Sequence, residues 1–284
     1  KKRKKKKFPN TKAMAPFTSP LHFLRGLVAC ISTPTLSVIL FFAAMVDVHL
    51  FGQTKQKAQR YPRALGRSLC WLSGIRVHIE GLDNLDPAAT YIFAGNHASM
   101  VDITSFSGYI PHDFRWVAKK ELFSLPIFGA GMRAVDFIPM DRSHGREALK
   151  NLNLAAQRIA DGSSVAIFPE GTRSVDGRLQ PFKSGAAILA IKAGVEVVPV
   201  AFNGTHQVLA AGKFLPRSGD IQIRIGKPIP TKDFKVKDKQ VLSDLLQQSV
   251  VDLLDPCHQP LPPPLSSSAS SDLSSEAPTT SQST

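Results

Sequence analysis

Cysteine is scarce. Cys30, Cys70 and Cys257 are the only three in 284 residues, far apart and without paired spacing. That excludes a disulfide framework and a zinc site built on cysteine pairs, and it fits a reducing compartment. Acidic residues are also few: 22 Asp and Glu stand against 35 Lys and Arg, a net charge of +13. An excess of that size favours an anionic partner: lipid headgroups, phosphorylated substrates or nucleic acid. No internal repeat recurs, which argues against a solenoid or propeller. No Gly-x-Ser-x-Gly elbow occurs, which argues against a serine hydrolase of that design. Long apolar runs are confined to one region, and no small-residue cleavage site follows it as a secretory signal would require.

That region is residues 23–51. Leu27 to Val46 just reaches the roughly 20 apolar residues that a helix needs to cross the hydrocarbon. Ser32, Thr33, Pro34 and Thr35 interrupt it, and basic residues flank both ends: Lys1–Lys7 before, then Lys55, Lys57, Arg60, Arg63 and Arg67 after. A single span would put one basic flank on the wrong side. The expectation is therefore a helical hairpin over residues 21–51, bent near Pro34, dipping into one leaflet with both flanks on the cytoplasmic side. Residues 1–20 read as a basic disordered tail. Three readings of its lysine block stay open: nucleic-acid binding or nuclear import, a polybasic anchor beside an anionic surface, and a leader fragment with Met14 as the start. Residues 256–284 are rich in proline and serine, with almost no large apolar residue after Leu265. Such a stretch buries too little to offset its ordering entropy and reads as a disordered tail.

Between these lies an alternation of short apolar runs with segments of helical period. Residues 74–82, 91–94, 114–118, 136–140, 165–168 and 195–202 read as strands, and residues 220–225 as an edge strand. Residues 146–161 and 184–193 read as helices ended by Gly162 and Gly194, and residues 242–254 as a last helix. Strands alternating with helices imply an α/β fold with a mostly parallel central sheet flanked by helices, preceded by the N-terminal helical membrane anchor. His78 falls on the polar side of the first strand and reads as solvated. Residues 126–132, apolar and glycine-containing, read either as core or as the lining of an apolar tunnel.

The chemistry concentrates in two places. Asn96-His97 follows the apolar run 91–94, and Asp102 comes five residues after His97. An imidazole held by a carboxylate is the simplest general base near neutral pH. Five steps along a regular helix would leave the two side chains about 140° apart. His97 is therefore expected in the turn after the strand, and Asp102 in the first turns of the following helix. The second place is Phe168-Pro169-Glu170-Gly171-Thr172-Arg173-Ser174, again after an apolar run.

Together these motifs resemble the glycerolipid acyltransferase family, which includes the 1-acyl-glycerol-3-phosphate acyltransferases. Asn96, His97 and Asp102 match the family's first motif, and Phe168 to Ser174 its third without a gap. The stretch 137–142, ending in Arg142, looks like the second, and 197–200 like the fourth. The resemblance covers roughly residues 60–230 and makes residues 52–255 the α/β acyltransferase domain. It implies acyl transfer from a thioester, acyl-CoA or acyl-carrier protein, to the hydroxyl of 1-acyl-glycerol-3-phosphate, yielding phosphatidic acid. Glycerol-3-phosphate or another lysophospholipid is the alternative acceptor. His97 would be the base, Asp102 its orienting partner and Asn96 a supporting residue. Arg142, Gly171, Thr172, Arg173 and Lys183 would hold the phosphate, since guanidinium forks match its geometry. Glu170 would orient Arg173 or bond a glycerol hydroxyl. Neither a metal nor a cofactor is expected, nucleic acid is not an expected partner, and the membrane surface is. Two other classes compete: a basic peripheral protein that binds anionic lipid or nucleic acid without turnover, and a metal hydrolase using His97, Asp102 and Glu170. The second lacks a further ligand near His97 at customary spacing.

Overall fold

The computed structural model describes residues 20–140 and 146–261; Arg142, the basic block Lys1–Lys7 and residues 262–284 lie outside them. In chain order the elements are α1 (Pro20–His49), α2 (Arg60–Ser73), β1 (Ile75–Glu80), β2 (Tyr91–Gly95), α3 (Met100–Tyr109), β3 (Arg115–Lys119), α4 (Phe128–Ala134) and β4 (Ile138–Met140). Then follow α5 (Arg146–Ala160), β5 (Val165–Ile167), α6 (Gly185–Ala193), β6 (Glu196–Asn203), α7 (Thr205–Val208), β7 (Gly219–Ile225) and α8 (Lys239–Leu253).

Among the described residues seven strands form one sheet in the order β1-β7-β6-β2-β5-β3-β4. All neighbours are parallel except β6 and β7. The strand period of two divides each run between two cores. Ile92, Ala94, Val165, Val197 and Ala201 face one side, where Ile159 of α5, Leu189 of α6 and Leu246 of α8 cover them. Tyr91, Phe93, Ala166, Val198, Val200 and Phe202 face the other, under Phe106 of α3. β2 is buried throughout, as its unbroken apolar run demands.

Three expectations need correction. The first is that β7 is an edge strand. It lies between β1 and β6, and the sheet's edges are β1 and β4. Its alternation reports one wet face, not one open edge: Ile221, Ile223 and Ile225 point inward while Asp220 meets Arg76 and His78 of β1 outside.

The second is the hairpin over residues 21–51. α1 is one helix of 30 residues that runs through Pro34. Proline removes a single N–H from the ladder. The polar residues beside it do not open a turn, because Thr33 Oγ1 donates to the Ala29 carbonyl and Ser37 Oγ to the Thr33 carbonyl. Tertiary contacts hold both halves straight. Arg25 donates to the Leu72 and Trp71 carbonyls at the end of α2. Gly26 abuts Pro216, and Gly131 of α4 abuts Phe41. Asp47 accepts from Arg60 and Tyr61 at the start of α2. The antiparallel partner of α1 is therefore α2.

The third is the start of the C-terminal tail at residue 256. Residues 256–258 form a helical turn, and His258 is buried. Its Nδ1 donates to the Gly177 carbonyl, its Nε2 accepts from Gly204 N, and its own carbonyl accepts from Leu179 N. A proline-rich composition carries no sign of one ring whose two nitrogens are both engaged.

Candidate active site

The site begins where β2 leaves the sheet. Gly95 is pressed so close to β6 that a Cβ would lie 2.5 Å from the Val200 carbonyl oxygen. At the next residue the Asn96 side chain takes over the ladder. Its Nδ2 donates to the Phe202 carbonyl at 3.0 Å, and its Oδ1 accepts from Phe202 N at 2.8 Å. An amide side chain standing in for a peptide group keeps the strand in register while its backbone turns away. His97 is the first residue past that turn.

Helix α3 starts three residues later, at Met100. Ser99 is its N-cap, accepting from Val101 N, and Asp102 at N3 reaches back to Ser99 N, forming a capping box. The same Asp102 oxygen, Oδ2, also accepts from Ala98 N at 2.8 Å and meets His97 Nδ1 at 2.9 Å. This explains the interval from His97 to Asp102. A carboxylate at N3 can satisfy two helix-entry amides and still hold a ring on the residue before N′. Asp102 is fully buried, and Oδ1 has no hydrogen-bond partner among the described residues. An ionised carboxylate only accepts, so Nδ1 donates to it, and in the neutral ring Nε2 carries the lone pair. Among the described residues no hydrogen bond engages Nε2. Ser99 is unsuited to nucleophilic attack: it is fully buried, caps α3 and donates Oγ to the Leu209 carbonyl at 2.6 Å.

The loop after β5 closes over this turn. The Phe168 ring stacks on the His97 imidazole, centroids 3.8 Å apart and planes 6° from parallel, and Trp116 backs Phe168 at 5.1 Å. Glu170 Oε1 accepts from His97 N at 2.6 Å, and Ser174 N donates to the His97 carbonyl at 2.7 Å. Both backbone groups of His97 are thus bonded to the motif at residues 168–174. Glu170 Oε2 accepts from Gln180 N. Glu170 is buried at 4% exposure, and its bonds run to backbone amides. Among the described residues Glu170 braces these two loop amides and makes no bond to Arg173, the partner expected for it.

Burial pushes the Glu170 carboxyl up from the ordinary value near 4.5 to about 8, against the pull of the His97 and Gln180 amides; the nearby Asp102 charge adds to the rise. A folded-state value above the unfolded one means that folding retains a proton which the unfolded chain releases. This contribution to stability is present in full below about 4.5 and is lost as pH rises to about 8. Melting temperature should therefore fall across that window, and in Glu170→Gln the slope should flatten. A variant with the wild-type slope would remove Glu170 as its source.

Gly171 sits at φ +81°, a conformation that L side chains avoid. Lys183 Nζ lies 3.1 Å from where a Cβ at Gly171 would be, so the lysine crosses directly over the glycine. Thr172 and Arg173 follow, both exposed. Arg173 makes no ion pair or hydrogen bond among the described residues. The fold thus gathers Asn96, His97, Asp102, Glu170, Gly171, Thr172, Arg173 and Lys183 at the C-terminal ends of β2 and β5, where ligands meet open α/β sheets. The sequence reading missed Phe168 as the platform under His97, Trp116 behind it, and Ser174 and Gln180 as loop ties. Only Phe168 and Ser174 lay inside a motif. No three His, Cys, Asp or Glu side chains gather as a metal centre among the described residues.

A family model described as Acyltransferase matches residues 76–203, a stretch containing His97, Asp102 and Arg173. The chain is similar to the chloroplastic 1-acyl-sn-glycerol-3-phosphate acyltransferase BAT2 of Brassica napus, 32% identical over 212 residues, covering 72% of this chain and 61% of that one. It is also similar to a 1-acyl-sn-glycerol-3-phosphate acyltransferase of Chlamydomonas reinhardtii, 33% identical over 226 residues, covering 78% and 67%. The chain spans about three fifths of the length of the Brassica relative. The crystal structure of the 1-acyl-sn-glycerophosphate (LPA) acyltransferase PlsC from Thermotoga maritima shares the fold, with a TM-score of 0.60 at 24% identity, covering 79% of this chain and 97% of that one.

Proposed function

This chain belongs to the acyltransferase family, and on that premise we propose that it acylates the free hydroxyl of 1-acyl-glycerol-3-phosphate from a thioester, giving phosphatidic acid. The names of its relatives support the acceptor. One observation carries the chemistry: Asp102 holds Nδ1 of His97 and leaves Nε2 without a hydrogen bond among the described residues, on a turn whose backbone is bonded to the loop that carries Gly171 and Arg173.

In this reading Nε2 takes the hydroxyl proton while the acceptor oxygen attacks the thioester carbonyl. The tetrahedral intermediate collapses with loss of the thiolate, which takes the proton back from the imidazolium. No acyl-enzyme is needed. Asp102 stabilises the transient cation, and the Phe168 stack fixes the ring plane. Lys183, Thr172 and Arg173 hold the acceptor phosphate, with Lys183 lying across Gly171, whose missing side chain makes room for it; Arg142 is a further phosphate candidate. Acyl-CoA and acyl-carrier protein are the candidate donors, and the reaction calls for no cofactor.

Arg173→Ala should raise KM for the phosphorylated acceptor about tenfold or more, since a charged hydrogen bond contributes roughly 1.5–3 kcal/mol, and leave KM for the thioester nearly unchanged. Equal effects on both would remove the phosphate site. Assaying 1-acyl-glycerol-3-phosphate and glycerol-3-phosphate against both donors decides the substrate pair.

The reaction belongs at a membrane surface, and α1 supplies the contact. At about 100° per residue, Gly26 and Ala44 share one direction, with Ala29 and Phe41 about 60° to either side; these four are buried. Leu24, Ile31 and Phe42 emerge on the far side at 51–64% exposure. The helix is tied to the domain from Arg25 to Asp47, so it can lie in a leaflet but cannot cross one without dragging Arg60 of α2 into hydrocarbon. This favours a monotopic, membrane-associated protein, for which we propose a site facing the cytoplasm. Flotation checks it: Ile31→Glu/Phe42→Glu should no longer rise with phosphatidylcholine vesicles, and undiminished flotation would move the anchor elsewhere.

A further inference from the structure

A second cationic centre lies at the other end of the parallel strands. Helix α3 runs ten residues, about 15 Å, from the His97 turn to Pro111–Asp113, which precede β3. There α2 and its preceding turn bound an open cleft of about 490 Å³, whose charged lining is Lys57, Arg60, Arg63, Arg67 and Asp113. The one carboxylate among the described lining residues is already paired, Asp113 Oδ1 accepting from Arg115 Nη1 at 2.6 Å. From Arg60, Arg63 is three residues on and Arg67 seven, so the three share a stripe. Like charges at those spacings repel, and α2 has no acidic residue in its first turn, the end where the helix dipole also disfavours cations. Arg67 Nε donates to the Gly108 carbonyl at 2.7 Å, and Arg63 Nη2 faces the Ile110 and His112 carbonyls at 3.4–3.5 Å. Those contacts cap α3 and use a minority of each guanidinium's five N–H groups. Arg60 is tied to Asp47, one turn before Leu50 and Phe51, which are 76% and 69% exposed.

We propose that this cleft is a binding site for the phosphate of an anionic phospholipid headgroup, separate from the acceptor site beside His97. The paired guanidinium forks suit a phosphodiester, the concentration of unneutralised charge calls for an anion, and the exposed Leu50 and Phe51 mark the depth at which acyl chains begin. Soluble phosphate shares the headgroup chemistry but has no use for that apolar rim. The site would bind anionic lipid whether or not the chain turns over acceptor, so its test is read without catalysis.

The experiment is flotation of the full chain with phosphatidylcholine vesicles, with and without phosphatidylglycerol. Wild type should prefer the anionic vesicles. Lys57→Gln/Arg63→Gln/Arg67→Gln should lose about a hundredfold of that preference, at about 1 kcal/mol per cation, and keep its binding to neutral vesicles. Arg63→Lys/Arg67→Lys retains charge and the means to cap α3. It should fall between the two, since lysine cannot form the fork; binding equal to wild type would show a diffuse basic surface and overturn the site. Loss on neutral and anionic vesicles alike would overturn it too. Calorimetric titration with inorganic phosphate and with dihexanoyl-phosphatidylglycerol separates the sources. Tighter binding of the lipid supports the proposal, and equal binding assigns the cleft to soluble phosphate instead.

Discussion

Replacing His97 with alanine should lower kcat for acyl transfer by about 10²–10⁴-fold and leave the chain folded. General-base help of that size comes only from a group that takes the proton in the transition state, and Nε2 is the one ring nitrogen left for it once Nδ1 faces Asp102. The structural loss should be small. His97 contributes a stacked contact with Phe168, on the order of 0.5–1.5 kcal/mol, and its backbone bonds to Glu170 and Ser174 do not depend on the side chain. Melting temperature should therefore drop by only a few degrees while turnover nearly vanishes. An alanine variant that acylates 1-acyl-glycerol-3-phosphate at the wild-type rate would remove His97 as the base, whereas a wild-type chain that binds the lipid and never acylates it would belong to the class without turnover.

Asp102→Ala should fail in both respects. The residue is base partner and helix cap at once, because a single oxygen serves His97 Nδ1, Ala98 N and Ser99 N. Removing it frees the imidazole to rotate and to adopt the wrong tautomer, so kcat should fall at least as far as in His97→Ala. It also leaves two buried amides without an acceptor. A lost cap together with unsatisfied buried N–H groups should cost about 2–4 kcal/mol. For a chain of this size that is roughly 5–15 °C in melting temperature. Asp102→Asn keeps an acceptor oxygen but not the charge, so it should retain more of the melting temperature than of the activity. Should Asp102→Ala melt like wild type, the cap contributes nothing and the interval from His97 needs another explanation.

The contrast between these variants bears on how motifs are read. From spacing alone His97 could be placed in a turn and Asp102 early in a helix, because no regular helix lets them meet. Spacing did not show that the aspartate also closes the helix entrance. Glu170 shows the converse: its carboxylate was legible, but its partners were not. They are the backbone amides of His97 and Gln180, and backbone groups carry no signature in a sequence. Arg173 and Lys183 were legible as cations, while the crossing of Lys183 over Gly171 needed the loop's path.

By itself the sequence determined the local elements: which runs are strands, where Gly162 and Gly194 end helices, and that a histidine and an arginine-bearing loop each follow a buried strand. These depend on periodicity, propensity and capping, which act over a few residues. Tertiary structure alone decided the rest. It made β7 an interior strand, since alternation specifies a wet face and not a neighbour. It held α1 straight through Pro34, since contacts with α2 and α4 outweigh one missing hydrogen bond. It laid His97 on Phe168, since two rings 71 positions apart meet only when β2 and β5 pair side by side.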